Sequence, residues 1–208
     1  MNGQRAPQGY FVVFEGIDGS GTTTQSRLIE SRLRSEGHRA WLTSEPTSSP
    51  IGLLIREVLS GRMSVSPETV AHLFAADRCD HLSADDGIRA HLSRGEIVVC
   101  DRYKYSSLAY QSIEANPIRV SQLNAAFDDP QIVFFLDLPV SAMEERLARR
   151  DVREIYERLE FQEKVRDRYL SVLQEATVTT RVEIIDATQP QTEIAEKIWE
   201  TLTDASIL

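Results

Sequence analysis

A chain of 208 residues, 41% of them hydrophobic, has the length of one globular domain and enough apolar side chains for one substantial core. Its formal net charge of −9 argues against a polyanion-binding face, since nonspecific nucleic-acid binding rests on an excess of Lys and Arg; nucleic acid is therefore not an expected partner. Any phosphate chemistry must therefore use local cations, and of the 23 basic residues only Lys104, Lys164 and Lys197 are lysines.

Residues 1–8 carry one arginine and no apolar run, and read as a loose tail ahead of a single domain over 9–208. No later segment approaches the roughly eighteen apolar residues of a membrane span, which predicts a soluble cytoplasmic protein with no membrane partner. The β-branched and aromatic run 10–15 reads as a strand, followed by a Gly-Ser-Gly loop and an amphipathic helix over 23–36 that Gly37 stops. A second strand over 39–43 leads into a loop around Pro46 and Pro50. Helices are expected over 51–59 and 67–92, the second with Ser66 as N-cap and Pro67 at its first position.

The continuous apolar runs 96–100 and 131–136 have the composition of parallel strands covered on both faces. Between them lie expected helices over 106–112 and 119–127. Helices over 141–149 and 158–176 flank an arginine-rich stretch, 149–158, that reads as a mobile lid. A last strand over 181–185 and a helix over 192–202 close the chain. Alternating strands and helices predict an α/β fold: a doubly wound sheet of about five parallel strands flanked by helices, with ligands at the strands' carboxyl ends. Cys79 and Cys100 show no metal-ligand spacing and read as buried thiols, and the four histidines match no metal or triad pattern.

The segment from Gly16 to Thr23 (GIDGSGTT) fits the P-loop pattern G-x4-G-K-S/T everywhere except at Thr22, where lysine is expected. Backbone amides over Gly16, Gly19, Ser20, Gly21, Thr22, Thr23 and Thr24, with the following helix N-terminus, can hold the phosphates of ATP without the lysine. Thr23 offers a hydroxyl to Mg²⁺. The alternative is an ordinary glycine turn between a strand and a helix. Asp101 follows the buried run 96–100, where P-loop enzymes keep an acid for the magnesium shell. Phe74 and Arg78 lie four residues apart on one helix face, so a ring and a guanidinium can address one planar ligand; they could equally be a core aromatic and an ion pair with Asp77 or Asp80.

FEGIDGSGTTTQ at 14–25, TSEP at 43–46, LFAADRCDH at 73–81, DRYKYSSLAYQ at 101–111 and the arginine-rich stretch before Phe161 occur in the order and spacing of thymidylate kinases. The chain resembles that family over nearly its whole length. The resemblance implies phosphorylation of dTMP to dTDP by ATP with Mg²⁺, on a homodimer. It assigns Phe74 and Arg78 to thymine, Arg102 to the acceptor phosphate, Ser107 and Gln111 to the base side of the pocket, and Asp18 to the 3′-hydroxyl. A cap of the following helix is the other reading of Asp18. Tyr110 would lie beneath the sugar and disfavour a 2′-hydroxyl. Gly19 and Ser20 supply no P-loop arginine, so the resemblance gives the catalytic cation to lid residue Arg153, with Arg149 and Arg150 close by.

Two positions depart from the family: Ser44 stands where an arginine is common, and Thr22 replaces the lysine. Lys104, beside Asp101-Arg102-Tyr103, is the candidate to fill the lysine's place. The rival readings are a monophosphate kinase of different base choice and a catalytically impaired nucleotide-binding protein.

Overall fold

The computed structural model describes residues 9–147, 159–205 and 207. Five strands, β1 (Tyr10–Glu15), β2 (Ala40–Ser44), β3 (Ile97–Asp101), β4 (Ile132–Asp137) and β5 (Arg181–Asp186), form one all-parallel sheet in the order β2-β3-β1-β4-β5. The three central strands are those with unbroken apolar sequence. Phe11 to Phe14, Val98 to Cys100 and Ile132 to Leu136 are all but inaccessible, because helices cover both faces. Phe14 stacks on Phe134 across β1 and β4, and truncating either ring to alanine would cost about 3–5 kcal/mol.

The helices are α1 (Thr22–Ser35), α2 (Pro50–Leu59), α3 (Pro67–Ser83), α4 (Ile88–Ser93), α5 (Lys104–Glu114), α6 (Pro117–Asn124), α7 (Val140–Leu147), α8 (Leu159–Ala176) and α9 (Gln191–Asp204). Three of them start on a capping side chain followed by proline. Ser49 accepts from the Gly52 amide, Ser66 from that of Thr69, and Asn116 from those of Ile118 and Arg119. Each such cap contributes about 1 kcal/mol.

The expected helix 67–92 is two helices. The Ala84 amide closes the last turn on Asp80 O, then Ala84 turns extended (ψ 155°) and Gly87 follows in the same region. The helix expected over 119–127 starts earlier, at the Asn116-Pro117 cap, and ends at Asn124. Cys100 is buried as expected, but Cys79 is exposed, on the solvent side of α3. No described helix is long and apolar enough to cross a membrane.

From β1 the chain moves outward to β2 and back to β3, and only then crosses to β4 on the other side of β1. That reversal opens a crevice at the carboxyl end of β1, which is where parallel sheets bind ligands.

Candidate active site

The crevice is a cleft of about 810 Å³. Its floor is the loop between β1 and α1. Gly21, at φ 101°, occupies the N-cap position of α1 in the left-handed region where glycine is favoured, and turns the first helical amides into the cleft. Gly16 lets the loop fold on itself: a Cβ there would collide with the Ser20 side chain and lie 2.9 Å from Leu136 O. Gly19, Ser20, Gly21, Thr22, Thr23 and Thr24 all reach the cleft wall, whereas Gly16 lies beneath it.

Asp101, the last residue of β3, meets the P-loop here. Thr23 Oγ1 donates to Asp101 Oδ2, while Asp101 Oδ1 is buried with no hydrogen-bond partner among the described residues. The two expected magnesium residues are thus in contact with a carboxylate oxygen to spare. No cluster of three or more His, Cys, Asp or Glu side chains suited to a metal exists among the described residues. A hydroxyl and one carboxylate suit Mg²⁺, which keeps several waters and takes further oxygens from phosphates.

Arg102 is the one non-glycine residue of positive φ (69°) among those described. This conformation costs about 1 kcal/mol or more and turns its side chain back over the P-loop. Nη1 donates to Gly16 O at 2.9 Å and Nη2 to Asp18 Oδ1 at 2.8 Å, and the guanidinium stands 5.4 Å from the Tyr110 ring centre. Asp18 therefore does not cap α1, a helix with no side-chain cap. Its other oxygen accepts from Gln162 Nε2 at 2.8 Å, and Gln162 Oε1 accepts from the Tyr110 hydroxyl at 3.3 Å. Gln162, fully buried on α8, was not legible as a site residue in the sequence.

On the β2–β3 side, Phe74, Arg78, Tyr110 and Gln111 line the cleft. Arg78 pairs with Glu45 rather than with Asp77 or Asp80, at 2.6 Å with both side chains buried. It also donates to Asn124 Oδ1 and to Ser107 Oγ. Ser107 lies behind Arg78 and outside the cleft wall, so it positions the guanidinium instead of facing the cavity. On the β4–β5 side, Arg146 on α7 bridges the loops: Nη1 donates to Gly19 O at 3.1 Å and Nη2 to Ala187 O at 2.7 Å. Ala187, Gln189 and Gln191, just past β5, complete this wall. The sequence offered no motif for these residues, although the strand-end rule that located Asp101 applies equally to the end of β5.

Six buried side-chain polar atoms lack a hydrogen-bond partner among the described residues, and five belong to cleft residues: Ser20, Gln25, Asp101, Tyr103 and Gln111. Orphaned groups gathered in one cavity mark it as built for a polar ligand.

Lys104 does not approach the P-loop. The first turn of α5 sends it the other way, where Nζ donates to Phe127 O at 2.9 Å and pairs with Asp129. It cannot replace the missing lysine. Cations at the cleft wall come instead from Arg27, Arg56, Arg78, Arg102 and Arg146. Lys104→Ala is accordingly expected to lower Tm by about 2–4 °C, the equivalent of roughly 1 kcal/mol in a chain of this size. In a double-mutant cycle with Thr22→Lys, the coupling in kcat/KM should stay below about 0.5 kcal/mol, and coupling above about 1 kcal/mol would contradict this placement. Arg149, Arg150 and Arg153 lie outside the described residues.

A parallel sheet with a P-loop at its switch point, a strand-end aspartate on the loop's threonine and arginines around the cleft define a P-loop phosphotransferase. A family model for thymidylate kinases matches residues 14–198. A Treponema pallidum protein provisionally named a thymidylate kinase is 44% identical over 163 residues, 78% of each chain. One from Methanocaldococcus jannaschii, also provisionally so named, is 40% identical over 184 residues, 88% of this chain and 89% of its own. The thymidylate kinase of Thermomicrobium roseum is 39% identical over 206 residues, 94% of this chain and 95% of its own. The chain belongs to the thymidylate kinase family.

Proposed function

We propose that this protein transfers the γ-phosphoryl group of ATP to the phosphate of dTMP, giving dTDP and ADP. Besides family membership, one observation carries the reading: a single cleft has its P-loop in the middle and a differently built wall on each side. The wall with an aromatic ring, an amide and an anchored guanidinium suits a nucleobase. Of the five N–H groups of Arg78, one donates to Glu45, one to Asn124 and one to Ser107, which leaves donor capacity for a thymine carbonyl. Gln111 Oε1, buried without a partner among the described residues, is an acceptor on the same side.

Asp18 and Tyr110 are assigned to the deoxyribose and Arg102 to the acceptor phosphate, a grouping that their mutual contacts support. The donor's phosphates belong on the amides over Gly19 to Thr24, and its adenosine on the Arg146 and Ala187 side. Thr23 and Asp101 would hold Mg²⁺, which neutralises phosphate charge when bound. The remaining work is positioning and charge stabilisation, in which Arg102 aligns the acceptor and lid residues Arg153, Arg149 and Arg150 meet the transferred group. A cytoplasmic homodimer is the assembly proposed, with exposed Leu53 on α2 and Ile118 on α6 offering apolar surface for a partner copy.

Assaying dTMP, dUMP, UMP and CMP side by side tests this reading; dTMP should give the highest kcat/KM. Tyr110→Phe should keep the preference for deoxyribose, and Tyr110→Ala should relax it by about tenfold, the effect of a contact of roughly 1.4 kcal/mol. A Tyr110→Ala variant as selective as the parent would show that the ring does not read the sugar.

A further inference from the structure

Glu15 is the last residue of β1, fully buried, and its four hydrogen bonds gather three parts of the fold. Oε1 accepts from the backbone amides of Tyr103, at 2.9 Å, and Ser106, at 3.2 Å. Oε2 lies 2.6 Å from Ser106 Oγ and 2.9 Å from the Tyr169 hydroxyl, and those two hydroxyls lie 2.8 Å from each other. The carboxyl therefore ties the end of β1 to the first turn of α5 and to α8. Tyr169 passes the link on: its hydroxyl accepts from Arg102 Nη1 at 3.4 Å, the same nitrogen that grips Gly16 O.

Counting hydrogens on this triangle of oxygens assigns its protonation. Three edges of hydrogen-bond length need three hydrogens, and Ser106 and Tyr169 bring one each. The third belongs on Oε2, since Oε1 already accepts two amides. We propose that Glu15 is a positioning residue held protonated and neutral, closing a ring of three hydrogen bonds that fixes Arg102 without setting a negative charge beside the phosphates.

The surroundings agree. Burial pushes the Glu15 carboxyl up to about 7, against the downward pull of the Ser106 hydrogen bond, the Arg102 charge, the Tyr169 hydrogen bond and the Tyr103 amide. The other ionisable groups around the network are Asp18 in the P-loop, Asp101 and Cys100 on β3, Tyr103, Tyr105 and Tyr110 on or at the start of α5, and Tyr169 on α8. Burial raises the thiol and the four phenols, which stay neutral between pH 6 and 9. Asp18 is paired with Arg102. An ionised Glu15 would open the ring and draw on the charge of Arg102. In a site whose P-loop already lacks its lysine, that loss falls on one of the remaining cations.

Glu15→Gln keeps the acceptor for the two amides and fixes the group as neutral. Difference infrared spectra of parent against Glu15→Gln should show one protonated-carboxyl band at pH 6 that disappears as pH rises through about 7 to 8. The ratio of parent to Glu15→Gln KM for dTMP should rise about threefold to tenfold between pH 6 and 8.5, the effect of one weakened hydrogen bond, while titration of dTMP itself cancels in the ratio. The kinetic arm rests on Arg102 holding the acceptor phosphate; the spectroscopic arm does not. A carboxylate already ionised at pH 6, or a KM ratio independent of pH, overturns the proposal. Should Glu15→Gln not fold, Tyr169→Phe removes a hydrogen bond that lowers the carboxyl's pKa, so the parent band should persist to higher pH; an unmoved band overturns the proposal equally.

Discussion

Replacing Arg102 with alanine is expected to lower kcat/KM for dTMP by about a thousandfold, with a much smaller change in the KM for ATP. An arginine on the phosphates of a phosphoryl-transfer site contributes factors of about this size. Its position supports an effect of that size: the guanidinium is already fixed by Gly16 O and Asp18 before any substrate arrives, so little ordering remains to be done. The effect should be catalytic and not a matter of folding. Alanine bears the same left-handed strain at φ 69° as arginine, so Tm should move little for that reason. Arg102→Lys should recover only part of the loss, because an ammonium cannot span the carbonyl and the carboxylate as a planar fork does. A fall below tenfold in Arg102→Ala would move the acceptor phosphate to other cations of the cleft, with Arg27 and Arg56 next to be tested.

Asp101→Asn is expected to lower kcat by about a hundredfold at physiological magnesium, with partial recovery when magnesium is raised. The substitution keeps the shape and can still accept from Thr23 Oγ1, so it isolates the negative charge of the side chain. A divalent cation held by one carboxylate and one hydroxyl depends heavily on that carboxylate, and losing a charged contact costs about 1.5–3 kcal/mol. Steady-state rates over a magnesium titration measure this directly. Rates like the parent's at limiting magnesium would mean that Asp101 does not face the metal.

The sequence showed most plainly what burial dictates. The runs of β1, β3 and β4 could only be strands covered on both faces, and their carboxyl ends then located Asp18, Asp101 and Arg102 within one crevice. Phe74 and Arg78 fell on one face because helical spacing is reliable over a single turn. Residues 84–87 (ADDG) carry an Asp-Gly turn signal that the reading of one helix over 67–92 passed over, and the break between α3 and α4 falls there. The other misreadings come from contacts that local patterns do not encode. Lys104 neighbours the Asp-Arg-Tyr motif in sequence, yet the first turn of α5 rotates it toward Asp129. Arg146 reaches the P-loop through backbone carbonyls from 127 residues away, and Gln162 joins Asp18 across 144. No spacing rule relates such pairs.

A site without a P-loop lysine is expected to carry out the transfer. Amides at the start of α1, the Thr23–Asp101 pair and several arginines remain around the phosphates, and one lost charged contact accounts for only about ten- to a hundredfold in rate. The most direct test is a coupled ADP-release assay on the unaltered protein with ATP, magnesium and dTMP, run beside Thr22→Lys. The expected result is dTMP-dependent ADP release by the parent and a rate for Thr22→Lys no more than about a hundredfold higher. A parent that releases no ADP in response to dTMP, beside a Thr22→Lys variant that does, would contradict it and make the natural chain a nucleotide-binding protein disabled by Thr22.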